Sequence, residues 1–331
     1  MSRALLACPG RGSYTASSLG SLPADHRWVG SADRLRTERG LPTLSQLDGA
    51  QRFDPSLHLQ PVHASPLTWL VTLLDAERAA TDHEFVAVVG NSLGWYSALT
   101  VAGVLDFEDG FRLVQEMAIL QQEADVADGP GGQLIYPLTD AAWQPDPELE
   151  QAVSRALDGE GLYASIELGG YAVLAGNEAA LAAALTSLPP ARVGERLFPV
   201  RLALHGPYHT PLLASVSEAA RERLGDLVWR APSTTLIDGR GVRNTPWSAS
   251  AAELAEYTLG QQVTDTYRFA TGVRVVLREY APDLVILPGP GNSLGGIIGQ
   301  LLVAEGYHGI HSRSDFETAQ ASEPLVLSMR R

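Results

Sequence analysis

The stretch "VAVVGNSLGWYSAL", residues 86–99, places a serine where covalent chemistry is possible. An apolar run ends at Gly90, Ser92 follows between small residues, and Gly94 precedes a helix-compatible segment. The spacing Gly-x-Ser-x-Gly is typical of a nucleophile elbow, in which a strand turns sharply into a helix and exposes the serine hydroxyl. An ordinary strand-to-helix turn with a capping serine is the alternative. The apolar run before Ser92 and the helical segment after it favour the elbow.

A serine hydroxyl is a weak nucleophile, so an elbow serine needs a base within hydrogen-bond reach. Of the eight histidines, two lie in "LALHGPYHTPLL", between a predicted strand and a predicted helix. These are His205 and His209, and loops at element edges are where catalytic groups concentrate. On position alone, a structural role for either histidine stays open.

The composition excludes several other classes of protein. The chain has 331 residues, 45% of them hydrophobic and 19% charged, which is typical of a globular protein with one large domain or one domain with an insertion. A formal net charge of −14 without a basic stripe argues against nucleic acid as a partner. The single cysteine, Cys8, excludes a disulfide framework and lies in an apolar segment, which favours a core role over a nucleophilic one. No zinc-type ligand spacing, signal peptide or membrane span is visible, so we expect a cytoplasmic protein without a metal.

Strands and helices alternate at both ends of the chain, which predicts a parallel sheet with helices on both faces. Between them the order is strand, helix, strand, strand, helix, strand, from "QLIYPL" to "RLFPVRL". That βαββαβ order is typical of a ferredoxin-like unit. We therefore predict an α/β fold with an α/β-hydrolase-like large catalytic subdomain over 1–128 and 201–331. A ferredoxin-like small subdomain is inserted over 129–200, and the tail from about residue 312 is expected to be poorly ordered.

Five segments in this order resemble the malonyl-CoA:acyl-carrier-protein transacylases and the acyltransferase domains of polyketide synthases. They are "CPGRGSY", "LQPVHAS", "GNSLGWYSAL…AGVLDFEDGFRLV", "YHTPLL" and "LPGPGNSLGG". The resemblance implies that Ser92 is the nucleophile and His209 its general base and later its general acid. It implies further that Gln262, in "LGQQVTDTYRF", orients His209 through its main-chain carbonyl. The oxyanion hole would be the backbone N–H groups of Leu93 and Arg11.

Several positions depart from the family pattern. Met117 stands where the family has the arginine that pairs with the carboxylate of malonate. Methionine cannot make that pair but fills apolar pockets, so we predict a donor other than malonyl. A helix shifted by one residue, with another side chain in that role, is the alternative. Asn91 replaces a family histidine, and Trp95 replaces a family glutamate and is expected near the pocket mouth. Gln60 and Tyr208 are the other expected pocket residues.

We therefore predict a stand-alone, monomeric serine acyltransferase of fatty acid or polyketide biosynthesis. It would move an acyl group between phosphopantetheine thioesters, on coenzyme A or an acyl carrier protein, through acyl-Ser92 and without a bound cofactor. A hydrolase with the same acyl-enzyme and a non-catalytic carrier-docking relative are the alternatives.

The roles of four arginines stay open. Arg11, which replaces a family glutamine, would bind a substrate carboxylate, bind a phosphate of the carrier arm, or make a structural ion pair. Arg192, Arg196 and Arg201 would form a basic docking patch for an acidic carrier, or are scattered surface charges.

Overall fold

The strands form a large parallel sheet and a small antiparallel one. The computed structural model describes residues 1–127 and 130–330. Its strands are β1 (Ser2–Cys8), β2 (His83–Gly90), β3 (Gly131–Pro137), β4 (Leu162–Glu167), β5 (Tyr171–Asn177), β6 (Ala191–Val193), β7 (Arg196–Phe198), β8 (Val200–Arg201), β9 (Leu236–Ile237), β10 (Arg243–Asn244), β11 (Leu284–Leu287) and β12 (Val326–Ser328). The large sheet has the order β10-β9-β2-β1-β11-β12, and only the pair β9–β10 is antiparallel.

Helices pack around the large sheet and against one face of the small one. They are α1 (Arg27–Glu38), α2 (Leu44–Asp48), α3 (Pro55–His58), α4 (Pro61–Ala79), α5 (Gly94–Val101), α6 (Phe107–Ala127), α7 (Pro147–Leu157), α8 (Glu178–Ser187), α9 (Ala214–Leu224), α10 (Ala251–Leu259), α11 (Gln261–Thr264), α12 (Phe269–Glu279), α13 (Gly295–Ala304) and α14 (Arg313–Ser322). Short 3₁₀ turns lie at Ala16–Ser18, Pro211–Leu213 and Tyr307–Gly309. No described helix combines the length and the apolar character that crossing a membrane requires.

The turn from β2 into α5 depends on its two glycines. A Cβ on Gly90 would overlap the backbone of Gly94, and a Cβ on Gly94 would overlap the carbonyl of Cys8 at the end of β1. The backbone N–H of Asn91 donates to that same carbonyl at 2.9 Å. Cys8 itself is fully buried in the core, and burial raises the pKa of its thiol. Strand, turn and helix are therefore fixed against β1 at the point where the chain reaches Ser92.

The small sheet has the order β4-β5-β3-β8, with every pair antiparallel. Its first and third strands are neighbours, as the βαββαβ order requires. Leu134, Leu174 and Leu181 form part of its separate core. The helix predicted over 140–157 begins only at Pro147, because Asp140 accepts backbone N–H groups of a preceding turn. The last predicted strand, "RLFPVRL", is divided into β7 and β8. β7 pairs with β6 in a separate hairpin, and only β8 joins the small sheet.

The predicted α/β class, with a parallel main sheet and a smaller sheet, is confirmed. The predicted boundary between residues 128 and 129 lies outside the described residues, and the one between 200 and 201 falls inside β8. The expectation of a poorly ordered tail is wrong, because it forms α14 and β12. β12 pairs with β11, and Arg330 forms an ion pair with Asp75 on α4. These tertiary contacts order a segment that has no periodic pattern of its own.

We expect Gly94→Ala to lower the free energy of unfolding by about 1–3 kcal/mol, because the new methyl group overlaps the Cys8 carbonyl. Gly30→Ala is the control. Gly30 lies on the exposed side of α1, and a Cβ there would have no described atom within 4 Å, so alanine should raise the free energy of unfolding by about 0.5–1 kcal/mol. Urea unfolding midpoints test both. A Gly94→Ala protein as stable as the wild type would contradict the close approach.

Candidate active site

Ser92 and His209 face each other across the edge of the large sheet. Ser92 Oγ lies 2.7 Å from His209 Nε2, which is hydrogen-bond distance. Both residues have a positive φ, 55° at Ser92 and 59° at His209, in a region that side-chain-bearing residues rarely adopt. Such strain is held only where the surrounding structure fixes it, and it concentrates at functional sites. The elbow turn and the loop before α9 therefore present their side chains to one another.

Gln262 on α11 connects the two residues. Its main-chain carbonyl accepts a hydrogen bond from His209 Nδ1 at 2.6 Å. A carbonyl can only accept, so Nδ1 carries the proton and Nε2 is the free acceptor that faces the serine hydroxyl. The side chain of Gln262 donates to the Ser92 carbonyl at 3.4 Å and accepts from Tyr96 Oη at 3.0 Å. The resemblance implied this carbonyl contact, and the structure places Gln262 where it makes it.

His209 is only 4% exposed. Burial lowers the pKa of its imidazole to about 4; the hydrogen bond to the Gln262 carbonyl acts in the opposite direction, and the charge of Arg11 adds a further lowering. His209 is therefore neutral at pH 7. A neutral imidazole with a free Nε2 is the form that can take a proton from Ser92.

Two backbone N–H groups border the same cleft. Leu93 and Arg11 line it together with Ser92, and no backbone acceptor within 1–127 or 130–330 takes either N–H. Leu93 also lies at the N-terminus of α5, where the helix dipole favours negative charge. The loop that carries Arg11 is held by Ser13, which donates to the Gly10 carbonyl and contacts Ser293 Oγ at 2.6 Å. These donors suit a developing oxyanion.

The cleft has a volume of about 270 Å³ and lies between the two sheets. Its apolar walls come from α6, from the small sheet and from segments near α9 and α13: Val114, Met117, Ala118, Ile135, Ile166, Leu168, Val173, Leu213, Leu294 and Ile297. Met117 is 1% exposed and belongs to the α6 wall. The charged side chains along the cleft are Arg11 and Arg196, and none of the described lining residues is an aspartate or a glutamate.

Among the other predicted pocket residues, Asn91 and Tyr208 line this cleft. Two predictions are wrong. Trp95 is fully buried behind the elbow, where Nε1 donates to Thr258 Oγ1 at 2.9 Å, because its place on α5 turns it into the core. Gln60 caps the start of α4, borders a neighbouring cleft instead, and donates its amide to the Ser56 carbonyl.

Two polar residues of the cleft were missed by sequence reasoning. Gln133 Oε1 lies 2.7 Å from His205 Nδ1, so His205 has a partner of its own in the small sheet. Burial and the charge of Arg11 lower the pKa of His205 to about 3. Gln121 lies four residues after Met117 on α6, and this i, i+4 spacing is the signal that would have found it.

The three arginines proposed as a basic patch separate in the structure. Arg196 lines the cleft, Arg192 is exposed on β6, and Arg201 forms an ion pair with Glu178.

No family model matches the chain. The chain is 25% identical to the malonyl CoA-acyl carrier protein transacylase of Escherichia coli (strain K12) over 294 residues, which covers 87% of this chain and 89% of that protein. It is 28% identical to the polyketide synthase GfsE of Streptomyces halstedii over 267 residues, 78% of this chain and 6% of the synthase.

The fold is similar to that of the malonyl-CoA:ACP transacylase of Synechocystis sp. PCC 6803. The TM-score is 0.74 at 19% identity, and the match covers 100% of this chain and 97% of that one. The resemblance recognised from the motifs is thus confirmed, and the relatives are transferases, as the predicted enzyme class requires.

We expect His209→Ala to lower the rate of acyl-enzyme formation about 100-fold or more, because it removes the only described base at Ser92. His205→Ala is the matched control, since that histidine hydrogen-bonds Gln133, and it should have a much smaller effect. Pre-steady-state labelling measures both. Equal losses of rate in the two variants would contradict the assignment of His209 as the base.

The same assay gives a pH profile. Because the pKa of His209 is lowered to about 4, the neutral base persists well below pH 6.5 and the acid limb of the wild-type profile should lie there. An acid limb at or above pH 6.5 would contradict the buried environment of His209.

Proposed function

We propose that this relative of the malonyl CoA-acyl carrier protein transacylases is a serine acyltransferase that works through an acyl-Ser92 intermediate. The observation that carries the proposal is the 2.7 Å contact between Ser92 Oγ and His209 Nε2, with the Gln262 carbonyl fixing the tautomer of His209. A nucleophile that hydrogen-bonds to a base, which in turn hydrogen-bonds to an orienting group, is the arrangement that activates a hydroxyl.

In the first half-reaction, Ser92 Oγ attacks the carbonyl carbon of an acyl thioester while His209 Nε2 takes the hydroxyl proton. The N–H groups of Leu93 and Arg11 stabilise the negative oxygen; a donor of this kind is worth about 3 kcal/mol in the transition state. The carbon–sulfur bond then breaks, and the imidazolium gives its proton to the departing thiolate. The products are acyl-Ser92 and a free thiol.

The second half-reaction reverses these steps with a new acceptor. A thiol at the end of a phosphopantetheine arm gives its proton to His209 and attacks the acyl-Ser92 ester. The Ser92 oxygen leaves and recovers its proton from His209. His209 begins and ends each half-reaction neutral, which its low pKa favours at physiological pH.

The donor in this proposal is not malonyl. Met117 and its neighbours Val114 and Ala118 give α6 an apolar wall, and no described α6 residue that lines the cleft is a cation. A malonyl carboxylate lying there would have no counter-ion, and an uncompensated buried charge costs roughly 3 kcal/mol or more. Acyl groups that bring methylene or methyl groups to this wall avoid that cost and gain contact with Met117.

The acceptor in this proposal is an acyl carrier protein, because the relatives carry that partner in their names. Arg196 lines the cleft and Arg192 lies close to it in sequence, on the β6–β7 hairpin. Both suit an acidic carrier. Arg201 contributes less, since Glu178 already neutralises it.

Ser92→Ala should give no covalent acyl adduct with any acyl-CoA, since it removes the attacking oxygen. Ser97→Ala is the control: it removes a fully buried hydroxyl from α5, the helix that follows the elbow, and should keep the adduct. Intact-protein mass spectrometry across a panel of acyl-CoAs measures this. An adduct that persists in Ser92→Ala would refute the assignment.

Adding a carrier-protein thiol to the labelled wild-type enzyme separates transfer from hydrolysis. Transfer predicts that the acyl group moves to the thiol faster than it is lost to water. Faster loss to water would favour the hydrolase instead.

Met117→Arg should raise the ratio of malonyl to propionyl loading by about a hundredfold, because it supplies the missing cation on the α6 wall. Met117→Leu keeps the wall apolar and should leave the ratio near that of the wild type. The wild type itself should load propionyl faster than malonyl. Malonyl loading equal to or faster than propionyl loading in the wild type would refute the non-malonyl donor.

A further inference from the structure

Arg11 brings an unpaired positive charge into the cleft. Its guanidinium lies over the ring of Tyr208, with Cζ 4.2 Å from the ring centroid. Nη2 donates to Gln121 Oε1 at 3.2 Å, whereas Nη1 is buried and has no hydrogen-bond partner among the described residues. The described part of the chain therefore leaves one donor of the guanidinium unsatisfied.

No described residue along the cleft is a carboxylate that could neutralise this charge. Two other partly buried arginines do have a carboxylate partner: Arg330 pairs with Asp75, and Arg39 pairs with Glu116. The fully buried Arg36 has its donors satisfied instead by the Pro42 and Val62 carbonyls and by Gln115. Because a buried charge without a partner is costly, a buried donor left open at a binding cleft indicates that the ligand supplies the acceptor.

The position of Arg11 limits what that acceptor is. Gln121, its partner, lies one helical turn beyond Met117 on α6, about 6 Å along the helix axis. The charge also acts on His209 inside the cleft, so it lies near the reacting centre. The phosphate of a phosphopantetheine arm is separated from the thioester by the whole arm. An anion near His209 therefore belongs to the acyl group.

We propose that Arg11 binds the terminal carboxylate of a dicarboxylic acyl group longer than malonyl, whose methylene chain lies along Met117. This deepens the proposed function and rests on it. The guanidinium offers the paired N–H geometry that carboxylates accept. Tyr208 Oη, which also lines the cleft and is buried without a partner in the described part of the chain, is a second donor for the same group. In this proposal the carboxylate meets the cation beside Gln121, one helical turn from Met117, and an acyl chain with more than the single methylene group of malonyl spans that added distance.

The test compares donors of equal carbon number that differ in charge: malonyl with propionyl, succinyl with butyryl, and glutaryl with valeryl coenzyme A. In the wild type, succinyl or glutaryl should load Ser92 at least tenfold faster than its uncharged counterpart. Arg11→Gln should lower that ratio at least tenfold. Arg196→Gln is the matched control, because it removes the other cation of the cleft, and it should keep the ratio.

Two outcomes would overturn the proposal. If Arg11→Gln slows charged and uncharged donors equally, Arg11 acts through the oxyanion loop or through His209 and not on the acyl group. If neither succinyl nor glutaryl exceeds its uncharged counterpart in the wild type, the cation does not select a carboxylate.

A binding measurement separates this inference from the proposed function. Calorimetry with Ser92→Ala should show tighter binding of succinyl or glutaryl than of butyryl or valeryl coenzyme A, and the difference should vanish when Arg11→Gln is added. Charge-selective binding without any acylation of wild-type Ser92 would leave the Arg11 site standing and refute the acyltransferase. Acylation of Ser92 without charge-selective binding would leave the acyltransferase standing and refute the Arg11 site.

Discussion

The hydrogen bond from His209 Nδ1 to the Gln262 carbonyl is the interaction on which the site depends. It joins two distant segments of the chain, the loop before α9 and α11, and the other nitrogen of His209 then contacts Ser92 in the elbow after β2. A main-chain carbonyl fixes the tautomer of the imidazole without adding a negative charge. His209 therefore stays neutral in a buried setting, whereas a carboxylate partner would raise its pKa. The free Nε2 follows from this bond, whereas the low pKa follows from burial, against which the bond acts.

The distribution of charge in the cleft is the second constraint. The α6 wall around Met117 is apolar, and the cation lies instead on the oxyanion loop, at Arg11. Burial, and with it the charge of Arg11, lowers the pKa of His209 and of His205. In the proposed function the same charge would therefore act on catalysis and on donor selectivity together. A substitution at Arg11 is therefore expected to change both the catalytic rate and the donor selectivity. Only donors matched in size distinguish these two effects.

Local patterns predicted much of the fold. The glycines around Ser92 predicted the elbow, because neither position has room for a Cβ, and the βαββαβ order predicted the small sheet. The errors came where tertiary contacts outweigh local pattern. The tail has no periodicity, yet pairing with β11 and the Asp75–Arg330 ion pair order it. Trp95 was placed at the pocket mouth, but the direction of α5 turns it toward Thr258.

The sequence by itself determined the candidates for the proposed chemistry: a serine between two required glycines, a histidine before a helix, and a methionine and an arginine at positions where the family has other residues. These are local properties of residue type and spacing. Only the tertiary structure decided that Gln133 contacts His205 and that Gln121 and Tyr208 contact the Arg11 side chain. It also decided that no described residue accepts a hydrogen bond from Nη1 of Arg11. Such contacts join residues far apart in the chain, and their geometry exists only once the sheets and helices have packed.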